Sequence, residues 1–265
     1  MVKICAIGDP HGNLKKVRLA PRKVDAYLLT GDLGKADLAR KMFFKNIQRK
    51  RDGLPEIERT AEQSHAIHNE VYNSTIKVLK HLGKYAPTYT IQGNVGISSI
   101  PEARKKDKKY GGKHPATLDS INKLNEVYLV KNRLRLIGGL RVGFLEYFED
   151  TCWVREFKPS DYRDRMKKAK IETDKARRIL KRFGILDILV CHQPPYGILD
   201  KVNFPGVPKG WKGKHAGSKV ILDYVRKFQP RYVFCGHIHE GEGKKKIGKS
   251  QVYNLGVASN VVVDL

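Results

Sequence analysis

The chain has 265 residues, 40% of them hydrophobic, which is enough for one large domain or two small ones with a sizeable core. Its 52 Lys and Arg face only 27 Asp and Glu, a formal net charge of +25 that predicts attraction to polyanions, nucleic acid first among them. No apolar run approaches a membrane span, the N-terminus does not read as a signal peptide, and the four cysteines (Cys5, Cys152, Cys191, Cys235) show no CxxC spacing. A membrane protein and a disulfide scaffold are thereby excluded, and a reducing, cytoplasmic setting is expected.

Residues 2–7 form an apolar run read as a buried β-strand. It breaks at Gly8-Asp9-Pro10-His11-Gly12, leaving an acid and a histidine at the carboxyl end of the strand. In an open α/β sheet that end is where ligands bind, and a carboxylate with an imidazole there can hold a metal ion. Residues 24–30 repeat the pattern and end in Gly31-Asp32-Leu33-Gly34, with room for a short crossover helix over 13–23. A parallel pair so connected brings Asp9 and Asp32 to one edge, where two carboxylates repel unless a cation lies between them.

Residues 35–84 carry helical spacing. Ala36, Leu38, Ala39, Met42, Phe43 and Ile47 give one apolar face, and Ile67, Val71, Ile76, Val78 and Leu79 a second. His65 and His68 share a helix face, a spacing that binds metal less often than it is simply solvated. A third strand over 87–92 ends in Gly93-Asn94-Val95-Gly96, and residues 98–117 read as a mobile basic loop. Strands follow over 126–130 and 134–144, with Gly138-Gly139 marking a hairpin or bulge. Residues 160–183 form a long helix capped by Ser160, with ten basic residues against four acidic ones and a thin stripe of Met166, Ala169, Ile171, Ala176, Ile179 and Leu180. Such a charge run is more often a solvated face than a nucleic-acid surface, and no motif with interleaved aromatics supports sequence-specific recognition.

A strand over 185–190 ends in Cys191-His192-Gln193-Pro194-Pro195. The Gly- and Pro-rich stretch 196–214, with Tyr196, Phe204 and Trp211, is expected to form a rim. Ser218 caps a helix with a face of Ile221, Leu222, Val225 and Phe228, and its N-terminus, with His215 just before it, is a place for phosphate. The strand at 231–235 ends in Gly236-His237-Ile238-His239, whose imidazoles face the same way in extended backbone. Closing strands are expected around 252–255 and 261–263.

Five strands therefore end in glycine or a turn beside metal-type ligands: Asp9 with His11, Asp32, Asn94, His192, and His237 with His239. Imidazole nitrogens mixed with Asp and Asn oxygens suit Mn, Fe or Zn better than Ca or Mg. In order and spacing these blocks resemble the calcineurin-like metallophosphoesterase superfamily, whose DxH, GDxx, GN[HD], histidine and GHxH blocks match from residue 9 to residue 239. The resemblance implies an α/β fold, a four-layer αββα sandwich of two mixed β-sheets flanked by helices. It implies one domain over 1–265 with helical insertions near 35–84 and 155–184. It also implies a dinuclear centre in which Asp9, His11 and His239 hold one divalent ion, Asn94, His192 and His237 the other, and Asp32 bridges. Two such ions, roughly 3.5–4 Å apart, generate a hydroxide that attacks phosphorus in line.

One block departs. Where the family has His or Asp after Gly93-Asn94, this chain has Val95, which can neither stabilise phosphate nor protonate a leaving group. General acid help is worth about 10²–10⁴-fold, and His215 is the candidate to supply it. The expected activity is phosphoester hydrolysis, phosphodiester favoured. A nuclease or cyclic-nucleotide phosphodiesterase acting on a polyanion is the alternative the charge supports. A non-catalytic metal-binding scaffold is the alternative Val95 supports.

Overall fold

The computed structural model describes residues 1–204, 206–207 and 209–265, with every side chain among them except that of Lys209. Pro205 and Pro208, inside the rim stretch expected over 196–214, lie outside the described residues.

The chain begins β1 (Lys3–Ile7), α1 (Leu14–Val17), β2 (Ala26–Leu29), α2 (Asp37–Arg51), α3 (Ala61–Leu82) and β3 (Thr88–Thr90). It continues α4 (Ile100–Tyr110), α5 (Thr117–Ile121), β4 (Val127–Leu129), β5 (Leu134–Ile137), β6 (Leu140–Leu145), α6 (Thr151–Phe157) and α7 (Tyr162–Phe183). It closes with β7 (Ile188–Cys191), α8 (Lys219–Phe228), β8 (Tyr232–Cys235), β9 (Gly243–Ile247), β10 (Ser250–Asn254) and β11 (Asn260–Asp264).

These strands build two mixed sheets, ordered β11-β1-β2-β3-β4 and β5-β6-β7-β8-β10-β9. The central strands are parallel, and the antiparallel members β11, β5 and β9 sit at the edges. The period-two alternation of strand side chains sorts the core into layers. In β1, Ile4 and Ala6 pack between the sheets with Leu28, Phe144, Val190 and Phe234. Cys5 and Ile7 point the other way, onto Val71, Val78 and Leu79 of α3. On the far side of the second sheet, Leu189, Cys191 and Val233 meet Ile179 and Leu180 of α7 and Ile221 and Val225 of α8. The result is the expected four-layer αββα sandwich. All four cysteines are free and buried.

Several local expectations change. The stretch 98–117 is not a loop: it holds α4, started by a capping box in which Ser99 and Glu102 each bind the other's backbone N–H. The long charged helix starts at Tyr162 with Asp161 in the N-cap position, and Ser160 precedes it, accepting a bond from Lys50 Nζ at 2.9 Å. In that helix Ile171 faces solvent, and the buried stripe runs instead through Ala169, Thr173, Ala176, Ile179, Leu180 and Phe183. The apolar face read on α2 is only half-buried: Ala36 packs on the α3-side core and Ala39, Met42 and Ile47 are partly covered, but no residue of the helix is fully buried and Leu38 and Phe43 are exposed. β9 adds a basic edge strand, its Lys244, Lys245 and Lys246 being the kind of residues that discourage further strand pairing.

Candidate metal centre

All five chain breaks that carried candidate ligands lie at the carboxyl ends of β1, β2, β3, β7 and β8. The turns after β1 and β2 are tied together, His11 N–H donating to Asp32 O and Gly12 N–H to Leu33 O, each at 2.9 Å. The turn after β8 joins them through His237 N–H, which donates to Asp9 Oδ2 at 2.6 Å. Gly236 is needed there, since a methyl at its Cα would strike the Asp9 carboxylate. His11, Asp32 and His237 hold left-handed backbone at φ 42°, 40° and 64°. Non-glycine residues are held there only where surrounding contacts fix them, which is common at functional sites.

The side chains converge. His239 Nε2 is 3.3 Å from Asp9 Oδ2 and 3.2 Å from His11 Nε2, and His11 Nε2 is 3.7 Å from Asp32 Oδ2. His192 is 3.7 Å from Asp9 Oδ1 through Nδ1 and 3.7 Å from Asp32 Oδ2 through Nε2. Asn94 Oδ1 lies 2.7 Å from His192 Nε2 and 2.8 Å from His237 Nδ1. Two overlapping groups, Asp9-His11-His239 and Asp9-Asp32-His192, each hold their donor atoms within 4.8 Å of one another. Every residue expected to ligate metal is thus in one cluster.

Its chemistry fits a divalent ion. His192 Nδ1 lies 2.9 Å from the Thr30 carbonyl, which can only accept, so this nitrogen carries the proton. Its Nε2 lies 2.7 Å from Asn94 Oδ1 and 3.7 Å from Asp32 Oδ2, and Asn94 Oδ1 also meets His237 Nδ1 at 2.8 Å. Nitrogen and oxygen donors so gathered are the set a shared divalent cation binds. Asp9 and Asp32 are held ready by donors: Thr30 Oγ1 donates to Asp9 Oδ1 at 2.6 Å, and Val95 N–H to Asp32 Oδ1 at 2.7 Å. Burial pushes the Asp9 carboxyl up, but the charges of His192 and His239 and the bonds from His239 and Thr30 outweigh it and hold Asp9 below the usual carboxylate range. Burial, with His192 second, pushes His237 down to about 3, and burial likewise lowers His11 against the pull of Asp32 and Asp9. Neutral imidazoles are the form that binds metal. At His239 burial is overcome by the bond and charge of Asp9, and the group is raised.

His215 lies outside both metal-ligand groups. Its Nδ1 is 2.7 Å from Asp200 Oδ1, a buried carboxylate whose other oxygen accepts the N–H groups of Gly197 and Gly217. Ser218, at the helix N-terminus read as a place for phosphate, is fully buried: its Oγ donates to Asp150 Oδ2 at 2.6 Å and accepts Ile221 N–H as the cap of α8. The His65 and His68 rings pack around His114, and each has a nitrogen bonded to a backbone carbonyl, so they form a structural cluster rather than a metal site. His114 itself links Ser64 Oγ at 3.1 Å to Asp107 Oδ1 at 2.9 Å, with Ser64 fully buried beyond reach of any substrate.

Two residues of the centre escaped the sequence reading. Thr30 precedes the Gly31-Asp32 break and serves both Asp9 and His192. Tyr147 follows β6 and packs against the rings of His192 and His237, at centroid distances of 5.7 and 5.4 Å. Its position just past a parallel strand was the available signal. Beside Tyr147 and Gly93 opens a cavity of about 740 Å³, in which Arg165, Lys168 and Lys175 of α7 alternate with Glu146, Glu149 and Glu172.

With this geometry in hand, the family model for calcineurin-like phosphoesterases matches residues 2–241, and the chain belongs to that family. It is similar to metallophosphoesterase domain-containing protein 1 of Homo sapiens and of Mus musculus, 34% identical over 90 residues in each. That match spans 32% of this chain and only 26% of either relative. A solved crystal structure shares the fold with a TM-score of 0.54 at 15% identity, covering 96% of this chain and 90% of its own. Among the described residues no helix is long and apolar enough to cross a membrane.

Proposed function

We propose that this chain hydrolyses phosphoesters, phosphodiesters in preference, at a centre holding two divalent ions drawn from Mn, Fe and Zn. In this reading Asp9, His11 and His239 would hold one ion and Asn94, His192 and His237 the other, with Asp32 shared between them. The observation that carries it is the convergence of the Asp9, Asp32 and Asn94 oxygens with the imidazole nitrogens of His11, His192, His237 and His239 at five strand ends. When bound, such ions polarise the phosphoryl oxygens and lower the pKa of water.

The chain's own groups do the rest. Thr30 fixes the tautomer of His192 and the orientation of Asp9. Tyr147 walls one side of the His192–His237 pair. Val95 contributes its backbone N–H to Asp32 while its side chain packs into the α3-side core, so it offers no proton. His215, oriented by Asp200, is the residue we assign to protonate the leaving oxygen from Nε2. Residues 1–265 are read as one domain, with 35–84 and 155–184 as helical insertions. The free, buried cysteines support a reducing, cytoplasmic setting.

The net charge of +25 favours a polyanionic substrate as the second reading, a nuclease or cyclic-nucleotide phosphodiesterase. Asp32→Asn and His192→Ala test the centre. Both variants are expected to keep the circular dichroism spectrum and to lose manganese-supported hydrolysis of bis(p-nitrophenyl) phosphate. Wild-type rates in both would refute the assignment, and bound metal without turnover on mono-, di- or cyclic phosphoesters would make the chain a scaffold.

A further inference from the structure

The chemistry of the centre leaves a neighbouring cavity unused, the one of about 740 Å³ lined in part by Gly93 and Tyr147. Contacts fix its place against the candidate ligands. Tyr147 packs on the rings of His192 and His237, at centroid distances of 5.7 and 5.4 Å. Gly93 lies so near His192 that an added Cβ would sit 2.7 Å from its Cε1. Asn94 follows Gly93 directly and is exposed. Tyr147 N–H donates to Gln92 O at 3.1 Å and ties two walls of the cavity together. An ester group on a phosphorus held at Asn94 therefore meets the cavity within about one residue's length, roughly 3.8 Å.

The cavity has the size of a site for an organic molecule, since pockets that bury such ligands enclose roughly 300–1,000 Å³. Phe148, Ala176 and Ile179 give it apolar surface, and Gln92 and Asn132 give it hydrogen-bonding groups. Its charges decide what it excludes. Five carboxylates (Glu146, Glu149, Asp161, Asp164 and Glu172) line it against three cations (Arg165, Lys168 and Lys175). Arg165 is taken by Glu149 at 2.9 Å and Asp161 at 3.0 Å, and Lys168 by Glu172 at 3.6 Å. Asp164 meets Lys167 at 3.8 Å, which leaves Lys175 to offset Glu146. The +25 of the chain thus yields no surplus of positive charge here. A phosphate in the cavity would have to take a cation from its carboxylate, a cost that an uncharged group avoids.

We propose that this cavity receives the second ester group of a phosphodiester, a bulky organic group of roughly nucleoside size that carries no negative charge. A monoester or a methyl diester leaves the cavity unfilled, and a group bearing a further phosphate meets its carboxylates. The proposal rests on the phosphodiesterase reading of the centre, and its test separates the two.

The probes are methyl p-nitrophenyl phosphate, thymidine 5′-(p-nitrophenyl phosphate) and the latter with a 3′-phosphate, given to the manganese-loaded protein. Wild type is expected to favour the thymidine ester over the methyl ester about 10-fold or more in kcat/KM, chiefly through KM, and to gain nothing from the 3′-phosphate. Lys175 is exposed on α7, and Lys175→Trp puts an indole into the cavity at a position that tolerates it. This variant is expected to erase the preference. Lys170→Trp makes the same change at an exposed position of α7 outside the cavity lining and is expected to keep it. Calorimetric binding of thymidine 5′-(methyl phosphate) against dimethyl phosphate, with metal content measured in each variant, reads the subsite without turnover. A preference unchanged in Lys175→Trp, an equal loss in Lys170→Trp, or a lower KM for the 3′-phosphorylated ester would overturn the proposal. Absence of turnover on all three esters by wild type, with a calorimetric preference that Lys175→Trp removes, would defeat the hydrolase reading and leave the subsite standing.

Discussion

Replacing Gly93 by alanine adds one methyl group to the centre and changes no ligand. That methyl would collide with Asp32 Oδ1, and would lie 2.6 Å from Asp32 N and 2.7 Å from His192 Cε1. Ordinary contact needs about 3.4 Å, so both Asp32 and His192 must retreat, by at least roughly 0.7–0.8 Å in a close-packed interior. A displacement near 1 Å at reacting groups costs about 10²-fold in rate. Disturbing the supports of a metal ligand costs about 10–100-fold in affinity. Overpacking itself destabilises by roughly 1–3 kcal/mol. Gly93→Ala should therefore lose about two orders of magnitude in kcat on bis(p-nitrophenyl) phosphate and bind less metal by elemental analysis, with only a modest fall in melting temperature. Gly96, three residues on, has nothing within 4 Å of its missing Cβ, so Gly96→Ala is the matched control and should behave as wild type. Wild-type metal content and turnover in Gly93→Ala would refute the reasoning. Equal damage from Gly96→Ala would move the cause from the steric contact to the loop backbone.

Two further outcomes follow from the same groups. Stripping divalent ions with a chelator should lower the melting temperature, because binding at about 100 times Kd stabilises by roughly 2.7 kcal/mol, or about 5–10 °C for a chain of this size; identical melts with and without manganese would contradict a preformed site. Burial pushes His68 down to about 4 from the ordinary 6.5, so the unfolded chain binds the extra proton first and the stability this group supplies is present above pH 6.5 and lost as pH falls through 4. His68→Gln should flatten the urea midpoint against pH across that window, and superimposable profiles would show that His68 does not titrate differently on folding.

The centre was legible because its residues obey a local rule. Each parallel strand must stop where glycine lets the chain turn, and Asp9, His11, Asp32, Asn94, His192, His237 and His239 stand directly at those stops. What escaped has a physical reason in each case. Thr30 belongs to the apolar part of its strand, and its role depends on His192, 162 residues away, for which no spacing rule exists. Helix α4 was hidden because its Lys-rich body carries almost no apolar periodicity, although the Ser99–Glu102 box announced its start. The apolar residues of α2 suggested a buried face, but the helix is only half-covered, with no residue fully buried.

The same geometry explains why a single missing side chain at Val95 need not dismantle the centre. The position gives Asp32 a backbone N–H, and any residue but proline supplies one. Asp32 is therefore held equally well by valine and by the family's histidine or aspartate. The left-handed turns at His11, Asp32 and His237 are fixed by bonds among the turns themselves, His11 to Asp32 and His237 to Asp9, none of which involves the Val95 side chain. In the proposed reading, metal holding and proton delivery rest on separate residues of this chain. The first is built into the interlocked strand ends, where substitution acts through sterics, as at Gly93. The second lies on the 196–218 segment with Asp200 and His215, where it can vary without disturbing the ligands. A variant at His215 and a variant at Asp32 should accordingly fail in different ways, the former keeping its metal and the latter losing it.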